Sequence, residues 1–286
     1  VTAPTQAAPE TAATSLHETQ DLPANACDSH IHIYNPALIA APAAPNPLAS
    51  CTAQAYRRVR DSLGLQRAVV VTPAPHVTDN RVTLDAIEQL GSSQTRGVGV
   101  VFPDVSDGEL QALHQGGIRG IRFTVAIAHT SIVRIDMIEP LAKRIASMGW
   151  HVQLHMTPAQ IAENADMILR LPCTVVFDHL GRMAPMTETY EAARRVVHTR
   201  LQRGTGWVKL SGHYLAGGVD SAARVATELL QAAPERLVWG SDWPHPTEMP
   251  TPPATASTLA ALHTWVPDST LRARILADNP AELYGF

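Results

Sequence analysis

Eight short apolar, β-branched runs alternate with amphipathic or turn-rich segments, and His, Asp and Arg gather at the C-terminal ends of those runs. Together these features predict an α/β fold: a (β/α)8 TIM barrel in a single domain with a flexible N-terminal arm. The length agrees, because 286 residues is close to the roughly 250 that one such barrel needs. Polar residues end the first run and an acid ends the last, as expected if a closed sheet makes its first and last strands neighbours.

The strands are expected at 26–33, 67–72, 97–102, 118–123, 150–156, 174–179, 207–212 and 237–242. Each is a buried-type run of about six residues bounded by turn signals. The stretches 83–90, 107–115, 138–148 and 221–232 have helical spacing and the length of crossovers between parallel strands. Residues 36–50 carry Pro36, Pro42, Pro45 and Pro47, which excludes a regular helix or central strand and predicts a loop after the first strand. Residues 1–21 are rich in Ala, Pro and Thr and form the expected mobile arm or leader remnant, leaving 22–286 for the barrel.

Composition narrows the function. Hydrophobic residues make up 45% and charged residues 17%, as in a soluble globular protein. A net charge of -4 with no run of Lys and Arg argues against nucleic acid or an anionic membrane as partner, and favours a small molecule. No apolar stretch approaches the roughly 20 residues of a membrane span. A cytoplasmic location is expected, or a periplasmic one if a leader has been removed. Cys27, Cys51 and Cys173 follow neither metal-finger nor disulfide spacing and read as small buried residues. Oligomeric state is not legible.

In a barrel of this kind, chemistry sits where the C-terminal strand ends converge on one mouth. The first strand supplies His30 and His32, whose spacing of two puts both imidazoles on one face. The other ends offer Thr72 and His76, Arg119 and Arg122, His155, Asp178 and His179, Lys209, Ser211, His213 and Tyr214, and finally Asp242 and His245.

Several motifs recur in an order that is specific: Asp28-Ser29-His30-Ile31-His32, Thr78-Asp79-Asn80, Gly116-Gly117-Ile118-Arg119-Gly120-Ile121-Arg122-Phe123, Gly149-Trp150-His151-Val152, Phe177-Asp178-His179-Leu180-Gly181 and Trp239-Gly240-Ser241-Asp242-Trp243-Pro244-His245-Pro246. The chain from about Asp28 onward resembles the amidohydrolase superfamily. Within it, the chain is similar to the lactone-processing branch of 2-pyrone-4,6-dicarboxylate lactonases and D-galactarolactone isomerases. The resemblance implies a lactone-opening hydrolase. It implies either no metal or one divalent ion, Zn2+ first. A two-metal site is not expected, because the carboxylated lysine or glutamate that such sites use is missing from the fourth and fifth strands. Against the dicarboxylate lactonases, Ala74, His155 and Tyr214 stand where that branch has a hydroxyl residue, a tyrosine and an arginine, which removes one positive charge. Against the isomerases, Asp242 replaces an asparagine and favours hydrolysis.

Each candidate carries an alternative. His30 and His32 can ligate a metal, polarise a lactone carbonyl or pack against the barrel interior; His155, His179 and Asp242 would complete a metal sphere. Asp242 is the expected general base, with a helix N-cap as its structural alternative. His179 is expected to donate to the developing oxyanion, and Asp178 to orient neighbours or accept a buried hydrogen bond. Arg119 and Arg122 lie three apart on a strand and face opposite ways, so Arg122 is the expected clamp for a substrate carboxylate and Arg119 a structural salt bridge. His76, His155 and Tyr214 are expected at the substrate, and Asn80, His129 and His213 are further loop candidates. His114, His151, His198 and His263 read as structural. The expected reaction is water attack on a carboxylate-bearing lactone. Its rivals are a metal-dependent decarboxylase or amide hydrolase on the same barrel, a lactone isomerase, and a binding protein that has lost catalysis.

Overall fold

A computed structural model describes residues 22–39, 48–127 and 131–286. The N-terminal arm 1–21, part of the proline-rich loop and His129 lie outside the described residues. Eight parallel strands run in sequence order around one sheet: β1 (Cys27–Ile31), β2 (Arg67–Val71), β3 (Thr95–Gly99), β4 (Ile118–Thr124), β5 (His151–His155), β6 (Thr174–Phe177), β7 (Gly206–Leu210) and β8 (Leu237–Trp239). The crossovers are α1 (Ala53–Ser62), α2 (Arg81–Leu90), α3 (Asp107–Gln115), α4 (Ile138–Ile145), α5 (Pro158–Glu163), α6 (Ala165–Arg170), α7 (Tyr190–Gln202) and α8 (Val219–Ala232). After β8 come α9 (Thr255–Trp265), α10 (Ser269–Ala273) and α11 (Asn279–Tyr284). This is the (β/α)8 barrel expected from sequence. Among the described residues no helix is long and apolar enough to cross a membrane.

The helices form where an apolar stripe meets a start signal. In α4, Ile138, Leu141, Ala142 and Ile145 recur at spacings of three and four and are buried against the barrel wall. Each Leu or Ile so placed contributes about 1.5–3 kcal/mol. Ser106 and Glu109 form a capping box at the start of α3, and Thr157 and Gln160 form another at α5, where Pro158 occupies the first turn.

The third strand begins at Thr95, two residues before the expected 97, because Thr95-Arg96 pairs with Ala68-Val69 although the run contains two glycines. The eighth ladder stops at Trp239 instead of 242, and residues 240–243 close the cylinder by other contacts. Asp242 N donates to His30 O at 2.9 Å, His32 N donates to Trp243 O at 2.8 Å, and Ile31 bridges Trp243. Asp28 reinforces the seam by accepting from Ser241 N at 2.8 Å, Ser241 Oγ at 2.6 Å and Tyr56 Oη at 3.1 Å.

The register of β1 on β2 shifts between Asp28 and Ile31, and that of β4 on β3 shifts between Gly97 and Val98. An extra residue of this kind re-aims the side chains that follow it. The far end of the barrel is closed from the C-terminus, where Tyr284 packs on Cys27, Val69, Val71 and Val98 and meets the His151 ring edge-on at 5.6 Å.

Candidate active site

Three imidazoles and one carboxylate converge at the open end. His30 Nε2 lies 3.2 Å from His32 Nε2, and Oδ1 of Asp242 is 3.6 Å from His30 Nε2, 3.8 Å from His32 Nε2 and 3.9 Å from His179 Nε2. All four residues are buried. Two of them adopt left-handed backbone, with φ of 50° at His179 and 64° at Asp242. A non-glycine residue there carries strain of about 1–2 kcal/mol, which the surrounding contacts offset.

The outer nitrogens of the rings decide what the inner ones can do. His32 Nδ1 donates to Val71 O at 2.8 Å, so its neutral ring presents a bare Nε2 to Asp242. His30 Nδ1 is 3.3 Å from Oδ1 of Asp178 and 3.3 Å from Lys209 Nζ. His179 Nδ1 meets the Ser211 hydroxyl at 2.9 Å, a partner that can donate or accept and so leaves either tautomer open. Burial keeps all three neutral, with His32 and His179 lowered to about 3 and His30 well below its ordinary value.

Asp242 is oriented from behind. Tyr214 Oη donates to its Oδ2 at 2.6 Å and lies 3.1 Å from His245 Nδ1, whose Nε2 lies 3.2 Å from Thr255 Oγ1. Burial raises Asp242 to about 7, against the Tyr214 hydrogen bond and the Arg122 charge that pull it down. The side chain caps no helix. Contrary to expectation, Tyr214 does not line the cavity, because its hydroxyl is spent on the carboxylate.

Below this cluster lies an ionic layer. Arg122 Nε donates to Oδ2 of Asp178 at 2.8 Å, Gln153 Nε2 donates to the same oxygen at 3.1 Å, and Lys209 Nζ sits 3.9 Å from Oδ1 while donating to Ser29 O at 2.8 Å. Burial alone would raise Asp178, but Arg122, His30 and Lys209 outweigh it and hold the carboxyl well below its usual range. Burial lowers Lys209 to about 8. Lys209 is expected from sequence at a strand end without a role; its spacing of two from Ser211, which follows directly on β7, is the signal that it points inward.

A cavity of about 670 Å³ opens over the cluster, lined by His32, Arg122, His155, His179 and Asp242 among others, and by Tyr34, which sequence reading passed over. Arg119, by contrast, donates to the carbonyls of His114 and Ile118 rather than pairing with an acid. His155 stands beside His179 with ring centroids 5.1 Å apart, but its Nε2 faces Arg182 Nη1 at 3.1 Å. That nitrogen accepts from the guanidinium, so His155 does not join the metal-type cluster as expected. His76 is also displaced from its expected place: it is buried beside Tyr34, accepts from Asn35 N at 3.4 Å and does not line the cavity. Asn80 locks β2 to β3 by bonding Thr72 and both backbone groups of Val100. His213 packs between Tyr214 and Trp265, and His114 accepts from Trp150 Nε1 at 2.9 Å.

Two groups at this mouth could hold a metal ion, His30-Asp178-His179 and His30-His32-Asp242, each with its ligand atoms within 4.8 Å of one another. In the second group the separations are 3.2 Å between His30 and His32 and 3.6 and 3.8 Å from each to Asp242, close to the roughly 3.4 Å between ligands of a tetrahedral ion with bonds of about 2.0–2.1 Å. The bare Nε2 of His32 lies 3.2 Å from His30 Nε2 and 3.8 Å from Asp242 Oδ1, an approach that a proton on His30 Nε2 or a cation among them relieves. The outer partners of the three rings match the support that ligating histidines receive.

A parallel barrel whose first, sixth and eighth strands deliver histidines and an aspartate to one mouth defines a barrel enzyme of the hydrolytic type. The chain belongs to the amidohydrolase family, whose model matches residues 27–286. It is 34% identical over 281 residues to a 2-pyrone-4,6-dicarboxylate hydrolase of Comamonas testosteroni, covering 92% of this chain and 91% of that one. It is 30% identical over 278 residues to a 4-sulfomuconolactone hydrolase of Rhizobium radiobacter, with 92% and 91% covered. A crystal structure from Agrobacterium tumefaciens shares the fold with a TM-score of 0.82 at 24% identity, over 93% of this chain and 95% of that one.

Proposed function

We propose that this chain is a hydrolase that opens a carboxylate-bearing lactone by adding water to the ring carbonyl. The convergence of three imidazole Nε2 atoms on Oδ1 of Asp242, in the wall of a cavity that Arg122 also lines, carries this reading. Relatives at 34% and 30% identity act on a pyrone and a lactone, both cyclic esters.

Arg122 holds the substrate carboxylate, its guanidinium fixed by Asp178. The bare Nε2 of His32 accepts a hydrogen bond from the attacking water and turns its oxygen toward the carbonyl. Oδ1 of Asp242 takes the water proton as the water oxygen bonds to the carbonyl carbon, and negative charge moves to the carbonyl oxygen. A base poised near neutral pH suits this step. His179 stabilises the oxyanion through Nε2–H, in the tautomer where Ser211 donates to Nδ1. Collapse reforms the carbonyl and breaks the ring C–O bond; Asp242 returns the proton to the departing oxygen, giving an open-chain acid.

A divalent ion, Zn2+ first, held by His30, His32 and Asp242 would supply Lewis-acid polarisation of the carbonyl and a more acidic water; ligation by His179 as well would require its Nε2 to be bare, the tautomer in which it makes no oxyanion contact. Metal analysis of protein purified without chelator tests that occupancy, with one equivalent of ion expected if these residues ligate. A cytoplasmic location fits the three buried free cysteines.

Asp242→Asn keeps the shape and removes the base. It is expected to lower lactone opening about a hundredfold to ten-thousandfold with an unchanged circular dichroism spectrum. Undiminished opening by that variant would refute the mechanism.

A further inference from the structure

The charge inventory of the mouth says more about the substrate than its size does. Among the described residues, Arg122 is the one Lys or Arg that lines the cavity. Lys209 lies deeper, fully buried and bonded to Ser29 O. Arg182 is turned to the Nε2 of His155 and does not reach the lining. The segments outside the described residues contain no Lys or Arg, since 1–21 hold none, 40–47 read Ala-Ala-Pro-Ala-Ala-Pro-Asn-Pro and 128–130 read Ala-His-Thr. The first Lys or Arg in the whole chain is Arg57, so the loop after β1 brings none.

The rest of the wall is largely apolar. Leu48, Pro73, Ala74, Ile132, Leu215 and Pro246 face the cavity, and Thr124, Ser131 and Thr247 offer hydroxyls without charge. The remaining charged group at the wall, Asp242, repels an anion when ionised. A second carboxylate would therefore be desolvated against proline and aliphatic side chains without a counter-ion, a cost that buried unpaired charges rarely recover. A volume of about 670 Å³ is within the range that holds drug-sized ligands and exceeds what a single six-membered ring fills.

Resting on the lactone-opening reading above, we propose that the site is specific for lactones with one carboxylate and an otherwise apolar framework: a ring bearing an alkyl or aryl group, rather than a dicarboxylate or a polyhydroxylated sugar-acid lactone. Arg122 takes the single carboxylate, and the proline and aliphatic wall takes the substituent.

The test compares kcat/KM of the intact chain on four probes: an alkyl-substituted 2-pyrone-6-carboxylate, 2-pyrone-4,6-dicarboxylate, the first probe without its carboxylate, and a hydroxylated sugar-acid lactone. The alkyl monocarboxylate is expected to exceed each of the others by at least about tenfold. A dicarboxylate or sugar-acid lactone opened as well as the monocarboxylate overturns the single-charge specificity and leaves the lactonase reading standing. Equal turnover of the uncharged probe overturns the role given to Arg122 in specificity. Opening of none of the four overturns the lactonase reading itself.

Discussion

Asp178 and Asp242 lie on opposite edges of one imidazole: His30 Nδ1 is 3.3 Å from the first carboxylate and His30 Nε2 is 3.6 Å from the second. Both are buried, yet their environments push them apart. The Asp178 neighbourhood, built from β4, β5 and β7, supplies Arg122, Gln153 and Lys209 and keeps a permanent anion. The Asp242 neighbourhood, at the seam of β1 and the chain after β8, supplies neutral imidazoles and one phenol, so burial prevails and the group is raised to about 7. Carboxylates separated in this way divide the labour of a site: the ionised one fixes charges and the near-neutral one moves protons.

Replacing each acid by its amide breaks the comparison most directly. In Asp242→Asn the expected loss is in turnover, as above, with little change in melting temperature. In Asp178→Asn two buried cations lose their counter-ion, and stability is expected to fall by about 3–5 kcal/mol. Calorimetry and initial rates on the two variants check the division; equal melting temperatures would show that the ionic layer is not what Asp178 supports.

Tyr214→Phe sharpens the Asp242 side. The hydroxyl touches Asp242 and not the cavity, so kcat is expected to fall while KM holds. Losing one hydrogen bond to a charged group costs about 1.5–3 kcal/mol, roughly tenfold to a hundredfold in rate. A rise in KM with unchanged kcat would restore Tyr214 to the substrate-binding role expected from sequence.

How much of this was legible in the chain follows from what each signal depends on. The barrel strands are buried on both faces and read as β-branched runs, so eight were visible; Thr95-Arg96 escaped because Gly97 and Gly99 dilute the run, and Gly240-Ser241-Asp242 continues the chain toward β1 without joining the ladder to β7, a pairing no local pattern marks. His30, His32 and Arg122 were legible because strand alternation aims them; His179 and Asp242 were legible by their place just past β6 and β8, although left-handed backbone at both, not alternation, turns them inward. His76 and Tyr214 were not, because their direction is set by tertiary partners, Asn35 and Tyr34 for the first and Asp242 for the second; His155 lines the cavity as expected, but Arg182 occupies the nitrogen that a metal would need. Ion pairing such as Lys209 with Asp178 joins residues far apart in the chain and has no local signature.

The smallest expected effect separates backbone strain from contact at the same mouth. Gly212 has φ of 54° and Gly218 has φ of 90°, so a side chain at either is strained. A Cβ at Gly212 would also lie 2.6 Å from Nδ1 of His179, whereas one at Gly218 meets nothing within 4 Å. From the backbone term Gly212→Ala, in the left-handed region, is expected to lose about 1–2 kcal/mol, and Gly218→Ala, at φ 90° and ψ 179°, about 1–3 kcal/mol, or about 2–4 °C in melting temperature for each kcal/mol. Only Gly212→Ala should lose activity as well, because it displaces the His179 ring from Ser211 and from Asp242. If Gly218→Ala lowers turnover as much as Gly212→Ala, the loss is a general loosening of the loop after β7 and His179 does not depend on that close approach.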